Sequence, residues 1–122
     1  MSLTVRPRRL KLRDQLLAAY EGRCAISSVA TRDVLEAAHI GPATGPAADA
    51  VTNCLLLRAD LHNLFDAHLL WLDDDYTVHV AESITDATYR HWHGQSLHLP
   101  INPRVWPDLD ALRRHRDARP AL

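Results

Sequence analysis

Apolar positions near the start of the chain recur at helical spacing. Leu10, Leu12, Leu16, Leu17 and Tyr20 largely mark one side of a helix, predicted over about 8–21, and Gly22 supplies its C′ stop. Residues 34–40 read as a short strand. The loop over 41–50 has two glycines, two prolines and no periodicity. Residues 51–57, rich in leucine, form a second predicted strand. Asp60 is a candidate N-cap for a short helix running through Asp66. Residues 69–72 and 76–80 are strand-like around the turn Asp73-Asp74-Asp75 and predict a hairpin. A helical stretch over 84–93 stops at Gly94, residues 97–99 suggest one more strand, and 107–116 suggest a terminal helix within a C-terminal segment of about 104–119. The predicted class is α+β, built around strand–loop–strand–helix.

Composition narrows this picture. At 122 residues the chain suits one domain, 1–122, and 47% hydrophobic with 24% charged residues argues against a mostly disordered chain. No apolar run approaches the ~20 residues of a bilayer span, and the basic stretch 1–13 lacks the apolar region of a secretory signal. Cys24 and Cys54 are too few for a disulfide scaffold, so a cytoplasmic location is the expectation. The formal net charge of −1 conceals an uneven distribution. Residues 1–23 carry six basic side chains against two acids, residues 24–103 three against ten, and residues 104–122 five against three. Basic ends around an acidic middle suit a polyanion gripped at the ends with a cation held centrally, although solvated helix faces give the same count.

Candidate chemistry concentrates in the central unit. His39 near the end of the first strand, Asn53 at the second and His62 on the helix are separated by fourteen and then nine residues. Asp66 follows His62 by four, so both fall on one helical face and can approach one ion. A strand histidine facing a helix-borne His and Asp suits phosphodiester hydrolysis: the histidine deprotonates water while a cation polarises the phosphate.

Several stretches carry a family resemblance. They are Gly22-Arg23-Cys24-Ala25, Leu35-Glu36-Ala37-Ala38-His39-Ile40, Asn53, Leu55-Leu56-Leu57-Arg58-Ala59-Asp60-Leu61-His62, Leu64-Phe65-Asp66 and Leu97-His98-Leu99-Pro100. In this order and spacing the chain resembles the HNH endonucleases, the ββα-metal nucleases. The likeness is to the branch found as catalytic domains of modification-dependent, SRA-linked restriction enzymes, with a core motif over about 22–72. The resemblance implies an α+β domain around a ββα-metal unit, with flanking helices and an added hairpin. It implies His39 as general base, Asn53 as the residue bracing the loop and orienting that base, and His62 as metal ligand. Asp66 stands where some relatives have a second helical histidine and is a candidate ligand. Arg58, Arg23 and the N-terminal arginines are candidate phosphate contacts.

This chain departs from the pattern in places. Many relatives place a His or Asp ligand before the base, where this chain has Ala38; Glu36, two residues back, is the candidate replacement. Glycines expected from the family pattern are replaced by Ser28, Cys54 and His68. Paired C-x-x-C motifs are absent, so no structural zinc is expected. His79, His91, His93, His98 and His115 have no matched partner and read as structural, Cys24 and Cys54 as buried small hydrophobes, and the three tryptophans as core or interface residues. One imidazole with carboxylates fits a single divalent metal ion: Mg²⁺ on availability, with Mn²⁺, Ni²⁺ or Zn²⁺ suiting the same donors. The expected partners are DNA, a fused or separate DNA-reading module and, for double-strand cuts, a homodimer, in restriction or host defence and away from any membrane. An inactive HNH-fold nucleic-acid-binding or scaffold protein, a nuclease toxin and an RNase are the alternatives.

Overall fold

The first apolar stripe becomes α1 (Pro7–Ala19) in a computed structural model that describes residues 7–120. Arg6 lies outside those residues, as do the side chains of residues 7–10. Leu12, Leu16, Leu17 and Tyr20 are buried as their spacing requires. The stop differs by one residue from the prediction. Glu21, at φ 58°, is the left-handed C′ residue, and Gly22 follows it, its N–H donating to Leu17 O at 2.7 Å. That 6→1 bond with a 5→2 bond from Glu21 N–H to Ala18 O is a Schellman ending.

Two antiparallel strands form the centre, β1 (Leu35–His39) and β2 (Cys54–Arg58), in a register that sets Leu35 opposite Arg58 and His39 opposite Cys54. β2 starts later than its hydrophobicity predicts, because Val51–Asn53 coil into a 3-10 turn closed by Asn53 N–H to Ala50 O. Residues Cys54 to Leu57 are all buried, although consecutive strand residues point to opposite faces. Helices α1 and α2 (Ala59–Asp66) both pack on this hairpin, which explains the unbroken leucine run. Burial of Leu55, Leu56 and Leu57 stabilises the fold by ~1.5–3 kcal/mol each.

α2 leaves β2 with no linker, so Arg58 is the N-cap residue and Asp60 falls within the first turn. The expected capping role of Asp60 is thus corrected. Its carboxylate still meets Leu61 N–H at 3.0 Å, but mainly it receives Arg58 through two nitrogens and the Tyr89 hydroxyl. His68, at φ 59°, ends α2 as Glu21 ends α1, with Leu69 N–H returning to Leu64 O.

The predicted second hairpin is β3 (Leu70–Leu72) paired with β4 (Val78–Val80). The helix predicted over 84–93 shrinks to α3 (Ala87–Arg90): Asp86 caps it by accepting Thr88 N–H, Ile84 N–H closes a turn on Ala81 O ahead of it, and residues 91–94 continue only as turns. No strand forms at 97–99. Leu97 N–H donates to Tyr76 O and His98 N–H to Ala25 O, joining two different parts of the fold rather than one ladder. The chain closes with α4 (Leu109–Asp117), capped by Asp108 and packed on β3. The class is α+β, and no helix among the described residues is long and apolar enough to cross a membrane.

Candidate functional site

Pairing with β2 carries His39 to the end of β1, and the ladder extends one step through Ile40 N–H to Asn53 O. There the chain departs into the loop over 41–50, and the Asn53 side chain determines the loop's path. Its amide oxygen accepts Gly41 N–H at 2.9 Å, and its NH₂ donates to Ala48 O at 3.0 Å and Pro42 O at 3.4 Å. Two carbonyls and one N–H fix which way the amide points. A Cβ on residue 41 would lie 2.8 Å from Asn53 Oδ1, so glycine is required there by close approach. The loop returns with Ala48 buried and the next side chain, Asp49, 3.0 Å from His39 Nε2.

The helix after β2 supplies the second histidine. His62 lies across from β1, with Nδ1 2.8 Å from Glu36 Oε1 in a hydrogen bond. Its Nε2 lies 3.1 Å from Asp66 Oδ2, one turn on. A neutral imidazole has one N–H, and Nδ1–H given to Glu36 leaves a lone pair on Nε2 beside the Asp66 carboxylate. Two such electron-pair donors repel unless a cation, or a second proton on the imidazole, lies between them. Two donors ~2.1 Å from one ion and at right angles are themselves ~3.0 Å apart, so the His62–Asp66 spacing fits a shared divalent cation. Glu36 then has the carboxylate role that commonly orients a metal-ligating histidine from behind. Among the described residues no group of three or more His, Cys, Asp or Glu is placed to hold a metal ion, so water and phosphate oxygens would supply the ligands beyond His62 and Asp66.

His39, Glu36, His62 and Asp66 line one open cleft of ≈ 1060 Å³. The imidazoles of His39 and His62 are 22% and 21% exposed, open enough for water to reach both. Ala38 is fully buried and does not line the cleft, so the position preceding His39 contributes no ligand. Among the described residues two cations reach the cleft wall: Arg13 from α1, anchored through Nε to Leu35 O at 3.2 Å, and the exposed Arg114 from α4. Arg58 and Arg23 do not line it. Arg58 is held by Asp60, which keeps its guanidinium pKa raised and the Asp60 carboxyl below the usual carboxylate range. Arg23 donates to Ser28 O at 3.1 Å.

Of the other six histidines, four bond within the fold, while His68 lines the cleft beside His115 and His91 is exposed. His93 Nδ1 accepts Val80 N–H, His98 bonds Tyr20 O, His79 pairs with Asp73, and His115 bonds Phe65 O. Both cysteines are buried, and burial, with Asp49 nearby, pushes the Cys54 thiol up to about 12, far from a nucleophile's range. No sequence pattern marks Asp49, and Arg114 is marked only as one of the basic residues of 104–122. Asp49 sits in an aperiodic loop ten residues from His39, and its only signal is a loop path that side-chain bonds of Asn53 create.

A family model described as HNH endonuclease matches residues 24–73, which contain β1, β2, α2 and β3. Among solved structures, the chain is similar to one described as a modification dependent TagI restriction endonuclease, at 25% identity and a TM-score of 0.64. That likeness covers 91% of this chain and 38% of the other, so this chain spans well under half of that protein's length. No curated protein gives a significant match.

Proposed function

We propose that this chain, whose residues 24–73 match an HNH endonuclease family model, hydrolyses phosphodiester bonds of DNA in its cleft with one divalent cation and His39 as general base. The observation that carries this reading is the convergence of His39 with the Glu36–His62–Asp66 group on one water-accessible cleft. His39 takes a proton from water as the water oxygen attacks phosphorus, and the opposite P–O bond breaks. His62 and Asp66 would hold the cation, Mg²⁺ on availability, with Glu36 fixing the orientation of His62. When bound, the ion supplies Lewis-acid polarisation of the phosphate and stabilises charge on the departing oxygen.

Asn53 keeps the loop beside His39 in place. Arg13 and Arg114 contact backbone phosphates, which position DNA without reading its sequence; the pairing of Arg58 with Asp60 moves that role to the cleft wall. Residues 1–122 act as one nuclease domain, and target choice comes from a DNA-reading module, fused or separate, in a restriction or host-defence setting.

The test is nicking of supercoiled plasmid, modified and unmodified, with Mg²⁺, Mn²⁺ or EDTA. We expect metal-dependent cutting, slower by roughly 10²–10⁴ in His39→Ala at unchanged Mn²⁺ affinity. Intact plasmid from protein that binds Mn²⁺, or wild-type rates from His39→Ala, would overturn the reading.

A further inference from the structure

We propose that Asp49 is a positioning residue that holds His39 in the Nε2–H form and so presents Nδ1 to water as the proton acceptor. The inference rests on the nuclease reading for its catalytic meaning, but on geometry alone for its structural part. A carboxylate only accepts, so the His39 nitrogen 3.0 Å from Asp49 Oδ1 carries the hydrogen. The other nitrogen then carries the lone pair, and His39 makes no other hydrogen bond among the described residues. The Asp49 side chain is 24% exposed, so the contact is partly shielded from water.

The contact is also built rather than incidental. Asp49 follows Ala48, whose carbonyl is held by the Asn53 amide and whose side chain is buried. The other end of the loop is held by the same amide through Gly41 and Pro42. Asn53 thus sets both ends of the segment that delivers Asp49, and its influence on His39 passes through that carboxylate. The arrangement parallels the second histidine, where Glu36 stands behind Nδ1 of His62. Each working imidazole has its own carboxylate from a different element. A carboxylate behind a base also favours the imidazolium that forms when the proton is taken, without itself accepting that proton.

Nitrogen-15 NMR of the imidazoles reads the structural claim without any turnover. In the wild type at neutral pH or above, His39 is expected to show one protonated nitrogen, Nε2, and one bare nitrogen, Nδ1. In Asp49→Ala the two resonances should move together as the ring averages over both tautomers. Plasmid nicking reads the functional claim. Asp49→Ala should lower kcat by about 10–10³-fold with KM for DNA little changed, and it should add nothing in a His39→Ala background. Asp49→Asn, whose amide can donate to Nε2 as well as accept from it, should keep the ring in place but lose the fixed tautomer and recover little of the rate. A protonated Nδ1, or unchanged resonances and rate in Asp49→Ala, would overturn the proposal. An Asp49-dependent tautomer in a protein that cuts no DNA would sink the nuclease reading and leave the positioning role standing. A loss that adds fully to His39→Ala would show that Asp49 does not act through the base.

Discussion

Ser28 and His68 hold left-handed backbone, at φ 61° and 59°, at two of the three positions where the family pattern leads one to expect glycine. An L-residue there costs roughly 1–2 kcal/mol, and His68 offsets it by stacking on His115 at 4.5 Å between centroids. Ser28 has no such compensation: its side chain is exposed, and only its backbone is engaged, its N–H donating to Cys24 O and its carbonyl accepting from Arg23. Ser28→Gly should therefore stabilise the protein by about 0.5–1 kcal/mol after the added chain entropy of glycine, seen as a rise in Tm of a few degrees. The third position, Cys54, is extended at φ −140°, so its side chain is accommodated without strain. The same scale shows which site residues were legible. His39, Asn53, His62 and Asp66 sit in regular elements or at their ends, where spacing fixes direction, and all but Asn53 line the cleft. Asp49 and Arg114 depend on contacts between segments far apart in sequence, which no local pattern encodes.

Elements were legible where periodicity decided them and illegible where a side chain cut them short. α1 and the β3–β4 hairpin follow their patterns closely, whereas β2 loses its first three residues to the turn that Asn53 closes. α3 loses its first turn to the Asp86 cap, and 97–99 divides its backbone bonds between Tyr76 and Ala25 instead of entering a sheet. Capping also governs α4, which carries Arg114 to the cleft. Asp108 accepts Ala111 N–H at 2.9 Å, while α4 is rich in basic residues towards its end, where they suit the helix dipole. Asp108→Ala should cost ~1 kcal/mol, lowering Tm by about 3–5 °C in a thermal melt. An unchanged Tm would mean that packing of Ala111 and Leu112 alone sets the start of this helix.

The whole molecule folds its charge asymmetry into one place. The basic ends, remote in sequence, bring Arg13 and Arg114 to the same cleft that the acidic middle lines with Glu36 and Asp66. His115 secures this closure. It is buried on α4, donates from Nε2 to Phe65 O of α2 at 2.8 Å, and lies between the rings of Phe65 and His68. Burial holds its pKa below the ordinary histidine value near 6.5, with His68 and Arg119 adding to the effect and the Phe65 carbonyl and Asp66 opposing it. The folded protein therefore favours neutral His115, and the unfolded chain takes up its proton first as pH falls. Stability from this group is fully present above about pH 6.5 and is lost as pH drops from there towards the lower folded value. With eight histidines in the chain, the informative quantity is a difference. His115→Gln keeps a donor for Phe65 O but cannot titrate, so its Tm should fall less steeply than the wild type's between pH 7.5 and 5. Parallel slopes would mean that the α2–α4 contact admits the proton without cost, and that acid sensitivity of the cleft arises elsewhere.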